Sequence, residues 1–429
     1  MNQWGNVDQD DIVRARTTLL ASGRRTPYEE VDAYRVLAQV SPTAYLPLLA
    51  EALQHLSYET GSREWRPSSL ELCKEAVAVA RRIDPAEPGR VDVLYRALDS
   101  YQRRLYRVGR RAEGLALRGE MLAISRAQAE RSGSPLFRGL EQWAAGLSEE
   151  GRYAEAADAM DEEVAALLPE GHRDGALAWS LLQWIAALHD AGRSADACTA
   201  FERLVALQAA EAARDHRWVA CHLHTLIGYA RMLDLHDRGE QAATVRQDAL
   251  ARLTELAASG ERISRSSFEA SFWAVLLTVF GGESEWPVSD GGPRPPSGTQ
   301  PRCWSPEARQ RFFDSRDALR AEVDDLARRA AGDPAEHLAE VVRIHRVLTV
   351  RSAVYWEHRT HLFAERVRPL FDEGVDLARR LSRHDPAEGP RALAGALIER
   401  SAFRIAVREL GPALDDFREA LSHLGEAST

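Results

Sequence analysis

Along "GRYAEAADAMDEEVAALLP" the apolar positions are Tyr153, Ala156, Ala157, Met160, Val164, Leu167 and Leu168. Spacings of three and four put them on one stripe of a helix. The preceding stretch keeps the same rhythm through Leu140, Trp143, Ala144 and Leu147, and Gly151 separates the two. This predicts a helical hairpin that turns at "EEGR" and stops at Pro169. Similar turn-and-helix starts follow Gly109, Gly192 and Asp237, and aligning Gly114, Ala156, Ala197 and Ala242 gives steps of 42, 41 and 45 residues. A hairpin cannot bury its apolar face alone, so a period of this length predicts stacked helix pairs.

A small residue followed by a large apolar one four positions later and a third three beyond that recurs as Ala197, Phe201, Leu204, as Ala413, Phe417, Ala420, and as Ala308, Phe312, Ser315. These residues resemble the second-helix pattern of the tetratricopeptide repeat family, in a variant with longer helices. "SPTAYLPLLAEALQHLS" from Ser41 is similar to the linker and first-helix start of actinobacterial tandem arrays. The likeness covers most of residues 28–425 and is strongest in 90–255 and 390–425. It implies an all-α fold, an α-α superhelix of stacked antiparallel helix pairs. The expected organisation is a helical array over 1–280, a flexible Pro/Gly-rich loop over 281–306, and helical repeats over 307–429 that continue the array.

An apolar residue, Ala-Arg-Arg and then Asp-Pro-Ala-Glu occurs three times, ending at Glu87, Glu336 and Glu388. The arginines suit the negative end of a helix, while Asp caps and Pro begins the next one. The motif reads as joinery between repeats. The loop "GGESEWPVSDGGPRPPSGTQPRCWSP" holds five glycines and six prolines in 26 residues, too punctuated to fold alone. Its Trp286 and Trp304 are candidate anchors for a partner.

Composition narrows the function classes. The 429 residues exceed one ordinary core, 45% are hydrophobic, and the net charge is −10 with basic and acidic residues interleaved. No phosphate-tracking stripe results, so nucleic acid is not expected as a partner. Lys74 is the one lysine, which removes most lysine-based catalysis. Cys73, Cys198, Cys221 and Cys303 are too scattered for a disulfide framework, and "MNQWGNVDQDDIV" lacks the basic start of a signal peptide, so a cytoplasmic protein is expected. The longest apolar run, Phe272 to Phe280, is about half of the ~20 residues a membrane span needs, and reads as a buried helix.

No Walker, dinucleotide, zinc-protease or serine-hydrolase motif occurs, so the expectation is a non-enzyme without cofactor. In "YWEHRTHLFAE", His358, His361 and Glu365 would share one helix face and are minor candidates for a divalent metal and a metal-dependent activity. Cys221 and His224 read as core. The tetratricopeptide resemblance places groove-lining positions at Arg96, Asp99, Arg103, Tyr106 and Arg107, then Arg138, Glu141 and Glu149, then Trp179 and His189, and finally His224, Arg231 and Asp234. It implies a scaffold or adaptor that holds a protein or peptide segment in the concave face, with an acidic segment as the expected guest of the arginines at the first of these repeats. The alternative is a ligand- or peptide-responsive sensor that changes shape and controls a separate effector, a regulator or caspase-like protein. A homodimer is compatible with either.

Overall fold

The computed structural model describes residues 7–21, 25–63, 67–133, 138–168, 175–259, 267–280 and 292–426. Among them are eighteen α-helices and no strand. The chain divides into two compact units, Met1–Trp143 and Ala144–Thr429.

The first unit holds α1 (Gln9–Leu20), α2 (Pro27–Val40), α3 (Pro42–Arg63), α4 (Pro67–Arg81), α5 (Arg90–Arg107) and α6 (Arg111–Ser132), each packed on the next. Its helices begin where the sequence supplies caps. Asp8 with Asp11, and Thr26 with Glu29, form reciprocal capping boxes that satisfy otherwise orphaned backbone donors. Leu49, Leu53 and Leu98 lie at the centre of its core, each under 2% exposed. The division falls within α7 (Leu140–Glu149).

The second unit begins as a run of neighbours: α8 (Tyr153–Leu167), α9 (Ala176–Asp190), α10 (Ser194–Arg214), α11 (Val219–Leu235) and α12 (Gly239–Ala258). Then the order changes. Helix α13 (Ser267–Thr278) packs against α11 and against two helices still to come, α15 and α17. Apart from Glu269 and two serines it is largely apolar, and Phe272, Trp273, Ala274 and Val275 are all buried, as such a helix must be. The chain continues through α14 (Pro306–Gly332), α15 (Pro334–Trp356), α16 (Thr360–His384), α17 (Gly389–Ala406) and α18 (Leu410–His423). Helix α18 comes back onto α12, so the last helices do not simply extend the array. Leu223, Leu253, Ile405, Phe417 and Leu421 share the resulting core.

The hairpin turns obey one rule. Gly109, Gly151 and Gly192 stand at φ 74, 73 and 73°, the left-handed region that favours glycine. The next residue, Arg110, Arg152 or Arg193, donates its N–H 2.9 Å to the carbonyl of Leu105, Leu147 or Leu188, closing the helix end. Each of these arginines then pairs with the acid three residues on, Glu113, Glu155 or Asp196. Ala156, Ala197 and Ala242, which mark the period, and Ala413, which opens the matching triad of the last helix, are completely buried.

The Asp-Pro-Ala-Glu motif does two jobs. Asp333 caps α15 by accepting from Glu336 N at 3.2 Å, with Pro334 as first helical residue. Asp84 and Asp385 instead accept from Ala86 N and Ala387 N, at 2.8 and 2.9 Å, within turns that precede the next helix.

Part of the expected flexible loop is a packed strap. Gly298 N donates to Thr278 Oγ1 at 3.0 Å, Trp304 Nε1 to the Thr299 carbonyl at 3.0 Å, and Ser305 N to Glu149 Oε1 at 2.6 Å. Trp304 is 4% exposed and packs on Phe312 and Phe313, so it is a core residue and not a solvent-facing anchor. Trp286 lies outside the described residues.

Candidate functional site

In the first unit, Arg96, Arg103 and Arg138 are exposed, but each meets a carboxylate of its own unit. Arg96 lies 2.7 Å from Glu51, Arg103 2.9 Å from Asp99, and Arg138 3.1 Å from Asp92. Arg107 and Glu141 are exposed. Tyr106 is buried, its ring under Gly114 and under the guanidinium of Arg118 at 4.1 Å. A partner cannot reach it there.

The second unit corrects further expectations. Glu149 is buried and spent on the strap. Trp179 is half-buried against Phe268 and Phe272, with ring centroids 5.2 and 5.7 Å away, and His189 stands beside His236 and Phe280. His358 lies in the turn between α15 and α16, so it does not share a helix face with His361 and Glu365. Among the described residues no group of three potential ligands is placed to hold a metal ion. Cys198 and Cys221 are buried core residues.

His224, Arg231 and Asp234 on α11 come together at a cavity of about 390 Å³. Its walls are supplied by α11, α12, α13, α15, α16, α17 and α18, and they are mainly apolar: Trp273, Leu276, Phe280, Leu370, Phe371 and Phe417. Asp234, Arg343 and Gly395 are the exposed residues of the lining and mark the mouth. Three helical glycines also line it, Gly228, Gly374 and Gly395. Glycine inside a helix costs ~1 kcal/mol relative to alanine, so three of them trade helix stability for room. At Gly395 an added Cβ would meet nothing within 4 Å.

Charged groups on the wall are held by one another. Arg231 Nη1 and Arg346 Nε each donate to Glu399 Oε1 at 2.7 Å. Burial pushes the Glu399 carboxyl up, but Arg346 and Arg231 together outweigh it and hold it below its ordinary value. Arg246, which joins α12 to the residue beyond α18, contacts Asp234 at 2.5 Å and Glu426 at 2.7 Å. His345 Nε2 lies 3.1 Å from Glu373, and burial keeps its imidazole below the ordinary histidine range.

Two polar side chains of the wall stand apart. His224 is 1% exposed, and neither ring nitrogen has a hydrogen-bond partner. Burial, aided by Arg408, lowers its pKa to about 3, so the ring is neutral at physiological pH. Trp273 Nε1 is likewise buried without a partner, and the two ring centroids lie 6.1 Å apart. Sequence reasoning reached His224, Arg231 and Asp234 but missed Trp273, Arg346 and Glu399. Trp273 had a signal in the largely apolar character of its helix; Arg346 and Glu399 sit in amphipathic helices like any other and had none.

No helix of the described residues is long and apolar enough to cross a membrane. The chain is a helical repeat protein by its own packing. No protein-family model matches it, and no curated protein sequence does. It is similar over 97% of its length to 96% of a solved structure described as a circular tandem repeat protein with novel repeat topology and enhanced subunit contact surfaces, at 15% identity and a TM-score of 0.20.

Proposed function

We propose that this chain is a non-catalytic receptor of the long-helix, tetratricopeptide-like kind: its second unit takes a small, mainly apolar molecule into the cavity beside α11, and the occupied form acts on a separate effector protein. The observation that carries this reading is the cavity itself. Its volume lies within the roughly 300–1,000 Å³ of ligand sites, and its wall combines aromatic surface with a few placed polar groups. Helices that are far apart in sequence meet around it, so a ligand bridging α11, α15 and α17 would change their relative stability. That is how binding at one site biases a surface elsewhere.

The reading as a carboxylate-holding groove draws less support, because Arg96, Arg103 and Arg138 already face Glu51, Asp99 and Asp92. A guest carboxylate would have to displace these.

The test uses the neutral fluorescent probe N-phenyl-naphthylamine on the full chain. Saturable, equimolar binding is expected for the wild type, and its loss in Gly395→Trp, where the indole enters open space. Non-saturable binding, or equal binding in the variant, would overturn the cavity reading. Small-angle scattering of the two forms then asks whether ligand compacts the chain; an unchanged radius of gyration argues against a shape-changing sensor.

A further inference from the structure

We infer that the molecule this cavity takes is uncharged, an apolar body carrying one hydroxyl group, and that the hydroxyl is recognised by His224 and Trp273. The inference rests on the cavity being a binding site. A neutral imidazole offers one N–H donor and one bare nitrogen acceptor, whereas an indole offers a donor alone. Here all three are buried without protein partners, on two rings whose centroids lie 6.1 Å apart and which both line a largely apolar cavity. Buried polar atoms left unpaired are costly, so a protein that keeps them at a ligand site gains discrimination when a ligand satisfies them. A hydroxyl oxygen can accept from the Trp273 N–H while its proton goes to the bare nitrogen of His224. A carbonyl could use only the donors, and a hydrocarbon neither.

The same wall argues against a charged guest. Its guanidiniums are engaged within the protein: Arg231 and Arg346 on Glu399, Arg246 on Asp234 and Glu426, and Arg343 on Glu340 at 2.6 Å. An anion would have to break these pairs, and a cation would meet the positive charges of Arg231, Arg246, Arg343 and Arg346, with Arg231 already over the Phe280 ring at 4.7 Å. His224 and Trp273, in contrast, hold no ion pair that a guest would have to break; their nitrogens are covered, and a hydroxyl reaches them as the neighbouring side chains of the wall give way.

Three probes of one shape separate the possibilities: naphthalene, naphthol and naphthoate, each measured by displacement of N-phenyl-naphthylamine from the full chain. Naphthol is expected to bind roughly ten-fold tighter than naphthalene, the size of one buried hydrogen bond, with naphthoate weakest. In His224→Phe the advantage of naphthol over naphthalene should shrink toward unity while naphthalene itself still binds. Equal binding of naphthalene and naphthol would overturn the inference and leave a purely apolar site. Tightest binding by naphthoate would also overturn it and assign the polar end to the arginines. If N-phenyl-naphthylamine binds and none of the three displaces it, the ligand class is wrong while the cavity reading stands; if that probe itself fails to bind, the cavity reading falls first. Should His224→Phe not fold, the order of the three affinities in the wild type decides alone.

Discussion

Glu399 on α17 accepts a 2.7 Å hydrogen bond from Arg231, 168 residues earlier on α11. The same carboxylate oxygen serves Arg346 of α15, so one acid ties together three helices around the cavity. Removing it would leave two half-buried guanidiniums facing each other. Breaking a fully buried pair from one side costs ~3–5 kcal/mol. The arginine side chains here keep 28% and 22% of their exposure, so water recovers part of that, and Glu399→Gln should destabilise by about 2 kcal/mol. Urea unfolding of the two proteins checks it; a loss below about 0.5 kcal/mol would mean that the tie is dispensable.

Two buried groups that both feel the charge of Arg408 titrate in opposite senses. His224 is neutral when folded and its pKa falls to about 3, so only the unfolded chain takes up this proton below pH ~6.5. Its contribution is complete above that pH and is lost as pH drops toward 3. Glu269 is the reverse: burial raises its pKa to about 7 against the pull of Arg408, so the folded chain holds a proton that the unfolded chain releases above pH ~4.3. Its contribution is complete at low pH and is lost as pH rises through 7. Between about 4.5 and 6.5 the two slopes cancel. In Glu269→Gln the histidine slope should emerge alone, with stability rising by up to ~1.4 kcal/mol per pH unit across that window. Denaturant titrations at several pH values read it, and an unchanged profile would show that one of the two groups is ionised otherwise.

The hairpins, their period and their small buried positions were legible in the chain because each depends on local spacing: Ala156, Ala197 and Ala242 are visible as a register before any contact is known. Core roles for Cys198 and Cys221 followed from the same periodicity. The return of α18 onto α12 was not legible, since it depends on pairs such as Arg246 and Glu426, 180 residues apart, that look like ordinary surface charges. Composition misread the strap for a related reason. Its prolines and glycines signal irregular backbone, and irregular backbone can be pinned by a few long-range bonds, as Glu149 and Thr278 pin this one. The candidate site was partly legible through α11, whose groove-lining register found three wall residues, but the partners opposite them belong to helices that only the tertiary fold brings near.

The turn rule makes a stability prediction. Asp237 and Arg408 take the place of Gly109, Gly151 and Gly192, at φ 56 and 66°. Left-handed backbone costs a residue with a Cβ ~1–2 kcal/mol, somewhat less for aspartate. Asp237→Gly should therefore stabilise by about 0.5–1 kcal/mol, and Gly151→Ala should destabilise by about 1. Arg408→Gly is expected to lose more than it relieves, because the arginine also bonds buried Glu269 and offsets its charge where that carboxyl ionises. Thermal melting of the three variants tests the ordering, and a destabilised Asp237→Gly would mean that the aspartate side chain does something the turn geometry does not require.

Two glycines of the cavity wall should respond to a methyl group in opposite directions. Both lie within helices, where alanine is favoured over glycine by ~1 kcal/mol. At Gly395 the new methyl meets nothing within 4 Å, so Gly395→Ala should raise stability by about that amount and narrow the mouth. At Gly374 it would stand 3.3 Å from His345 Nδ1, a ring held in place between Glu373 and Thr349, so that moving it strains the contact with Glu373. Gly374→Ala should then gain nothing or lose up to ~1 kcal/mol despite the better helix former. Urea midpoints of the pair measure the contrast. Equal gains at both positions would mean that the wall yields easily around His345, and the cavity would then be a soft space that closes without ligand.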